Sequence, residues 1–239
     1  MIRLDRRAHV SLAARIGAPI AAVIVALALA GILIALAGAP VLEAYRRMLI
    51  GAFGSRLSIT ETLTRTAPLI LTGLAAAVAF RARLWNIGAE GQFLVGALAA
   101  AALGSQHGLH LPAPLLIPAL MLGGAVAGAL LLLGPLMLRL RFGVDEVVTT
   151  LLLNFVALLF VSMMIEGVLK DPLAFGWPQS VPVVGDALLP KLLPRSRLHV
   201  GLLVAVGLAL LVALVQARTV FGMESRAAGL NPAAARFAG

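Results

Sequence analysis

At 239 residues, 61% hydrophobic and 12% charged, this chain has about half the charged share of a soluble domain, which argues against an ordinary water-soluble fold and points to lipid as its solvent. The net charge of +9 comes mostly from Arg scattered between apolar runs rather than gathered on one face, so nucleic acid is not an implied partner. Cys is absent, which excludes disulfides, thiolate metal sites and cysteine nucleophiles.

Arg3, Arg6, Arg7 and Arg15 precede an apolar run over 16–39. That run is longer than the roughly 7–15 residues of a signal-peptide core, so it reads as a retained first membrane helix. A span needs about 20 mostly apolar residues. The stretches 19–38, 62–80, 90–104, 115–138, 147–166 and 200–217 are the candidates, giving an all-α polytopic bundle of about six membrane helices. The third is short, and to cross it must draw Glu90, Gln92 and their neighbours into the bilayer or be a broken helix. Pro68 and Pro135 are places for kinks, and Gly124 with Gly128 forms a small-xxx-small pair where two helices can approach closely.

The short hairpins set the orientation. Arg81 and Arg83 fall in one and Arg139 and Arg141 in another, whereas 105–114 carries no Lys or Arg. Placing the Arg-bearing hairpins inside puts residues 1–15 in the cytoplasm as a tail, the membrane helices and loops over 16–217, and 218–239 back in the cytoplasm. The longer segments 40–61 and 167–199 then fall outside, the second as a Pro-rich ordered cap.

Between two apolar runs stands the string Asn86-Ile87-Gly88-Ala89-Glu90-Gly91-Gln92. Gly88 and Gly91 permit an unwound or tightly turned backbone, as in the discontinuous helices of transporters. Asn86, Glu90 and Gln92 then either offer donors and acceptors to a polar solute or cap helix ends and bond neighbouring helices. Glu90 can also sit at the inner surface beside Arg81 or Arg83. Glu146, Thr150 and Asn154 recur every four residues and share one helix face, as path lining or as polar glue between helices. In the C-terminal segment, Gly222 and Gly229 punctuate a basic amphiphilic stretch, and Asn231-Pro232 suits a helix start, Asn as cap and Pro at the first position. A short helix exposing Arg226 and Arg236 can dock on a partner or lie on anionic lipid.

Several chemistries are missing. The lysines are Lys170 and Lys191, and neither follows Gly, so no P-loop is present to bind ATP. His107 and His110, three apart in an outer hairpin, lack a third ligand and read as solvated rather than metal-bound. No Gly-x-Ser-x-Gly elbow or His-Glu-x-x-His helix occurs.

The string Leu84-Trp85-Asn86-Ile87-Gly88-Ala89-Glu90-Gly91-Gln92 resembles the signature of permease subunits of bacterial ABC importers for nucleosides and simple sugars, with Trp85 where Phe is common. Three other stretches agree in order. They are Ala67-Pro68-Leu69-Ile70-Leu71-Thr72-Gly73-Leu74, Asp145-Glu146-Val147-Val148-Thr149-Thr150-Leu151-Leu152-Leu153-Asn154, and Gly222 through Pro232 with Ala234 to Gly239. The resemblance covers about 60–239, and the broader family includes branched-chain amino acid and ribose permeases. It implies one transmembrane permease domain over 1–239 in the bacterial plasma (inner) membrane. It also implies a solute path through Asn86, Glu90, Gln92 and Asn154. An ATPase-coupling segment would carry Gly222, Arg226, Gly229, Asn231, Pro232 and Arg236. The implied partners are an ABC ATPase subunit, a second permease subunit, an extracytoplasmic substrate-binding protein and the lipid bilayer. There is no cofactor in this chain itself, ATP and Mg belonging to the ATPase. Because relatives continue past the coupling segment, a truncated sequence is expected. Few charges in the membrane region suit an uncharged polar solute. The alternatives are a branched-chain amino acid permease and an ion-gradient-driven transporter with Glu90 as its ion site. A membrane enzyme or scaffold is a further rival, disfavoured by the missing nucleophile–base constellation.

Overall fold

The structure, a computed structural model, describes residues 11–237, and the assignment of a cytoplasmic tail to Arg3, Arg6 and Arg7 lies outside them. Among the described residues the chain forms α1 (Leu12–Leu36), α2 (Val41–Phe53), α3 (Arg56–Arg81), α4 (Ala89–Gly104), α5 (Ala113–Phe142), α6 (Glu146–Glu166), α7 (Gly201–Arg218), α8 (Val220–Leu230) and α9 (Pro232–Phe237). Extended pairing among them is limited to the isolated bridges Ser105–Val183, Lys170–Ser180 and Lys191–His199. The expected all-α bundle is found. The anticipated spans correspond to α1, α3, α4, α5, α6 and α7, and all but α4 are long and apolar enough to cross a membrane. The chain divides into two compact units, one ending at Thr62 and one running from Leu63.

In the first unit, α1 begins where the Ser11 hydroxyl accepts the Ala14 amide hydrogen at 3.3 Å, earlier than the apolar pattern suggests. It ends in a Schellman turn. Gly38 takes a left-handed φ of 75°, its amide reaches Ala35 O at 2.9 Å, and Ala39 reaches Ile34 O at 3.1 Å. The segment 40–61, expected to lie outside the membrane with no helix assigned to it, forms α2 and the start of α3. Glu43 bonds Arg46 and Arg47, each at 2.8 Å, one turn further along α2. The Arg46 bond, then the Arg47 bond, holds this exposed carboxyl below its ordinary range. At 13 residues α2 is too short to span. It lies against α1, where the Tyr45 hydroxyl donates to Leu27 O and Gly31 faces Val41 and Tyr45.

In the second unit, α4 packs on α5 and α6. Small residues make the α4–α5 approach possible. A Cβ at Gly96 would lie 2.8 Å from Gly124 O, and one at Gly128 would lie 3.0 Å from Gln92 O. The small-xxx-small pair Gly124 and Gly128 is thus a helix contact, as its spacing suggests. Gly143, at φ 65°, ends α5, and Asp145 caps α6 by accepting the Val147 amide hydrogen at 2.8 Å. Apolar side chains point outward over most of α5, α6 and α7, Leu122, Leu159 and Leu210 among them. Water would not tolerate that surface, but hydrocarbon does.

Candidate functional site

The site begins at the end of α3. Arg83 takes a left-handed φ of 53°, its amide reaches Phe80 O at 3.1 Å, and the Leu84 amide reaches Ala79 O at 3.0 Å. This is a Schellman turn with Arg where Gly is usual. It reverses the chain, and the Phe80 and Trp85 rings meet with centroids 4.9 Å apart.

Past that turn the string climbs one face of α6. Glu146 Oε1 accepts the Trp85 amide hydrogen at 3.3 Å, Thr150 Oγ1 that of Ile87 at 3.1 Å, and Asn154 Oδ1 that of Gly91. The registers match for a geometric reason. Four helical residues rise about 6 Å, and two extended residues rise about 6–7 Å. Glu146 also forms an ion pair with Arg139 at the end of α5. The every-fourth-residue face seen in the sequence therefore receives two amides from outside any helix, Trp85 and Ile87, and one from the first turn of α4, Gly91, where helix amides lack an acceptor within their own helix.

Asn86 is 4% exposed and closes the string on itself. Its Oδ1 accepts the Gly88 amide hydrogen at 2.9 Å, and its amide exchanges two hydrogen bonds with Gln92, at 3.2 and 3.3 Å. The crevice bounded by Gly88, Gln92, Pro135, Thr150 and Asn154 has no room for a water molecule. Glu90 differs. It lies in the first turn of α4, exposed, with Asn154 Nδ2 at 3.5 Å as its side-chain partner. The suggested pairing of Glu90 with Arg81 or Arg83 is not formed, and Arg81 instead reaches Gln216 at 3.5 Å. Asn86, Glu90, Gln92 and Asn154 are thus brought into one cluster.

Glu90 opens onto a cleft of about 710 Å³ between α3 and α4, lined by Arg65, Pro68, Leu69, Thr72, Gly73, Ala89, Glu90 and Phe93. Thr72 and Gly73 lie nine and eight residues before the end of α3, about 12–14 Å of helix. The start of α4 shares the cleft with that part of α3, so residues 82–88 run back from the α3 turn. Arg65, Thr72 and Phe93 were not singled out by sequence, because nothing in a lone apolar helix marks which face borders a cleft. Among the described residues no three His, Asp or Glu side chains converge to hold a metal ion.

At the C-terminus, Thr219 Oγ1 accepts the Gly222 amide hydrogen at 3.4 Å and starts α8 directly after α7. A Cβ at Gly222 would meet Gln216 O, and one at Gly229 would lie 2.5 Å from Arg81 O and 3.0 Å from Ala82 C. These two glycines, one above the other on α8, seat that helix against the end of α7 and the α3 turn. Asn231 caps α9 as its sequence suggests, accepting the Ala233 and Ala234 amide hydrogens at 3.1 Å each. Arg226 and Arg236 are exposed, as are Phe221, Met223 and Leu230. Sequence reasoning read this stretch as amphiphilic and singled out its basic residues, not these apolar ones.

The family described as "Branched-chain amino acid transport system / permease component" matches residues 58–239. A glucose ABC transporter permease protein of Haloferax volcanii is 36% identical over 248 aligned residues, covering all of this chain and 64% of that protein. A guanosine ABC transporter permease protein of Bacillus subtilis is 35% identical over 92% of this chain and 63% of its own length. A nucleoside ABC transporter permease protein of Lactococcus lactis is 32% identical over 92% and 62%. This chain thus spans somewhat under two thirds of the relatives it matches. No solved structure matches it significantly.

Proposed function

Because this chain belongs to the family of permease components of branched-chain amino acid transport systems, we propose that it forms part of the membrane path of an ATP-binding-cassette importer for a nucleoside or simple sugar. It is a multi-pass membrane protein. In this reading it sits in the bacterial plasma (inner) membrane with its N-terminus in the cytoplasm. A second permease subunit completes the path, and a substrate-binding protein delivers solute from outside. An ATPase subunit holds ATP and Mg, since this chain has no P-loop.

The observation that carries this reading is the seat of α8. A helix locked through Gly229 to the turn that launches the polar string can pass a push from a docked partner to Asn86–Gln92. Its exposed Met223 and Leu230 beside Arg226 suit a mixed apolar and basic contact. Guanosine, nucleoside and glucose, printed in the relatives' names, are all uncharged polar solutes of the kind this path suits. The mechanism is alternating access, with ATP binding and hydrolysis on the partner tilting the bundle through α8 and α9.

Uptake of labelled guanosine and glucose in a strain lacking the gene, with and without complementation, tests it. The reading expects uptake that fails on ATP depletion and survives collapse of the proton gradient. Dependence on the gradient alone would make Glu90 an ion site and the protein a secondary transporter.

A further inference from the structure

The α3–α4 cleft is mostly apolar but carries two opposite charges. One wall carries a carboxylate, Glu90, and the other lining includes a guanidinium, Arg65, yet the two do not pair. An ionised carboxylate only accepts hydrogen bonds and has two oxygens to do it with. Its contact to Asn154, at 3.5 Å, leaves most of that capacity turned to the cleft. Arg65 only donates. Pro68, Leu69 and Phe93 supply apolar surface between them, and Phe93, half exposed, offers a flat face. About 710 Å³ is within the usual range for a small-molecule site.

We propose that this cleft is where the solute pauses in the membrane, with Glu90 accepting two adjacent hydrogen-bond donors from an uncharged ring compound. The inference rests on the import function proposed above. A solute of net charge gains at one of Glu90 and Arg65 and is repelled by the other. A neutral one with paired donors at one edge and acceptors elsewhere satisfies both, while its ring faces meet Phe93 and Leu69. Two sources carry such a donor pair. One is the N1–H and 2-amino edge of guanine, and the other is the vicinal hydroxyls of a sugar.

The chain has no Cys, so Gly73→Cys places a single thiol on the cleft wall, where an added Cβ meets nothing within 4 Å. In membranes carrying the full transporter, the rate of maleimide labelling at this thiol is measured with added guanosine, 2′-deoxyguanosine, inosine or glucose. Guanosine or glucose should slow labelling. Glu90→Gln should weaken that protection tenfold or more, while Glu90→Asp, which keeps both oxygens, should retain it. Co-purification of the ATPase subunit with each variant shows that the complex still assembles. Protection by 2′-deoxyguanosine but not inosine assigns the pair to the purine edge. Protection by inosine and glucose but not 2′-deoxyguanosine assigns it to the sugar. Undiminished protection in Glu90→Gln would overturn the proposal. So would normal ATP-dependent uptake with no protection by any of the four. Absence of any ATP-dependent uptake by the unmodified transporter would instead overturn the import reading, and this inference with it.

Discussion

The Thr150 hydroxyl joins two segments at once: it accepts the Ile87 amide hydrogen at 3.1 Å and donates to Glu146 O, one turn earlier on α6, at 2.6 Å. A hydroxyl has one hydrogen and two lone pairs, so it can do both. Thr150 is 2% exposed, so no water stands ready to replace it.

Thr150→Val keeps the shape and removes the acceptor. A buried amide left without a partner costs about 1–3 kcal/mol. Partners found by the unfolded chain in lipid favour the lower end. Tryptophan-monitored melting in detergent should show a lower Tm for Thr150→Val and a nearly unchanged one for Thr150→Ser. Equal melting of the two would mean that the hydroxyl does not hold the string.

Glu146 serves both Arg139 and the Trp85 amide. Removing one member of a fully buried pair costs about 3–5 kcal/mol. The Arg139 side chain is 35% exposed and can turn to water, so the cost here should fall below that range. Glu146→Ala should nevertheless lower Tm more than Arg139→Ala, because it strands two partners instead of one. The reverse order would show that the ion pair, not the amide, is what Glu146 provides.

The sequence made the long helices legible because each needs only an unbroken apolar run, a local property. It also showed the polar face of Glu146, Thr150 and Asn154, because a four-residue period is local too. It did not show which groups those side chains receive. Trp85, Ile87 and Gly91 are partners through their backbone amides, and an amide looks the same in every residue. Arg139 was read as a loop charge for orientation, and its link to Glu146 depends on how α5 and α6 meet at the Gly143 turn. α2 was missed because thirteen amphipathic residues fit no spanning template, although Pro40 and the Glu43–Arg47 spacing mark a helix. Of the site, the cluster Asn86–Gln92 was visible in the chain, whereas the α3 wall with Arg65 and Thr72 required three dimensions.

At the α4–α5 contact, a side chain at Gly96 or Gly124 would meet backbone on the other helix, which cannot swing away. Gly96→Val and Gly124→Val should reduce the amount of folded protein recovered from membranes several-fold. Gly134→Ala, also on α5 with nothing within 4 Å of its Cβ, should be recovered like the unmodified chain. A loss equal to that of the valine variants would point to a general intolerance of α5 instead.

Gly229 has no room for a Cβ, whereas Gly207 on α7 has nothing within 4 Å. Gly229→Leu should lift α8 from the Arg81–Ala82 backbone and uncouple the transporter. In reconstituted vesicles, ATP hydrolysis should persist while solute-dependent uptake falls at least tenfold, and Gly207→Ala should match the unmodified protein. Normal coupling in Gly229→Leu would remove α8 from the transmission path.

The central structural claim is that residues 85–91 climb into the bilayer along α6 instead of lying at its surface. Spin labels on single cysteines at Arg83, Ile87 and Phe93, in a chain that has no Cys of its own, read depth from the relative access of oxygen and a polar nickel chelate. In proteoliposomes the account predicts a label at 83 near the interface, with 87 about 6 Å or more deeper and 93 deeper still, following the rise along α6. Equal, surface-like depths at 83 and 87 would contradict it.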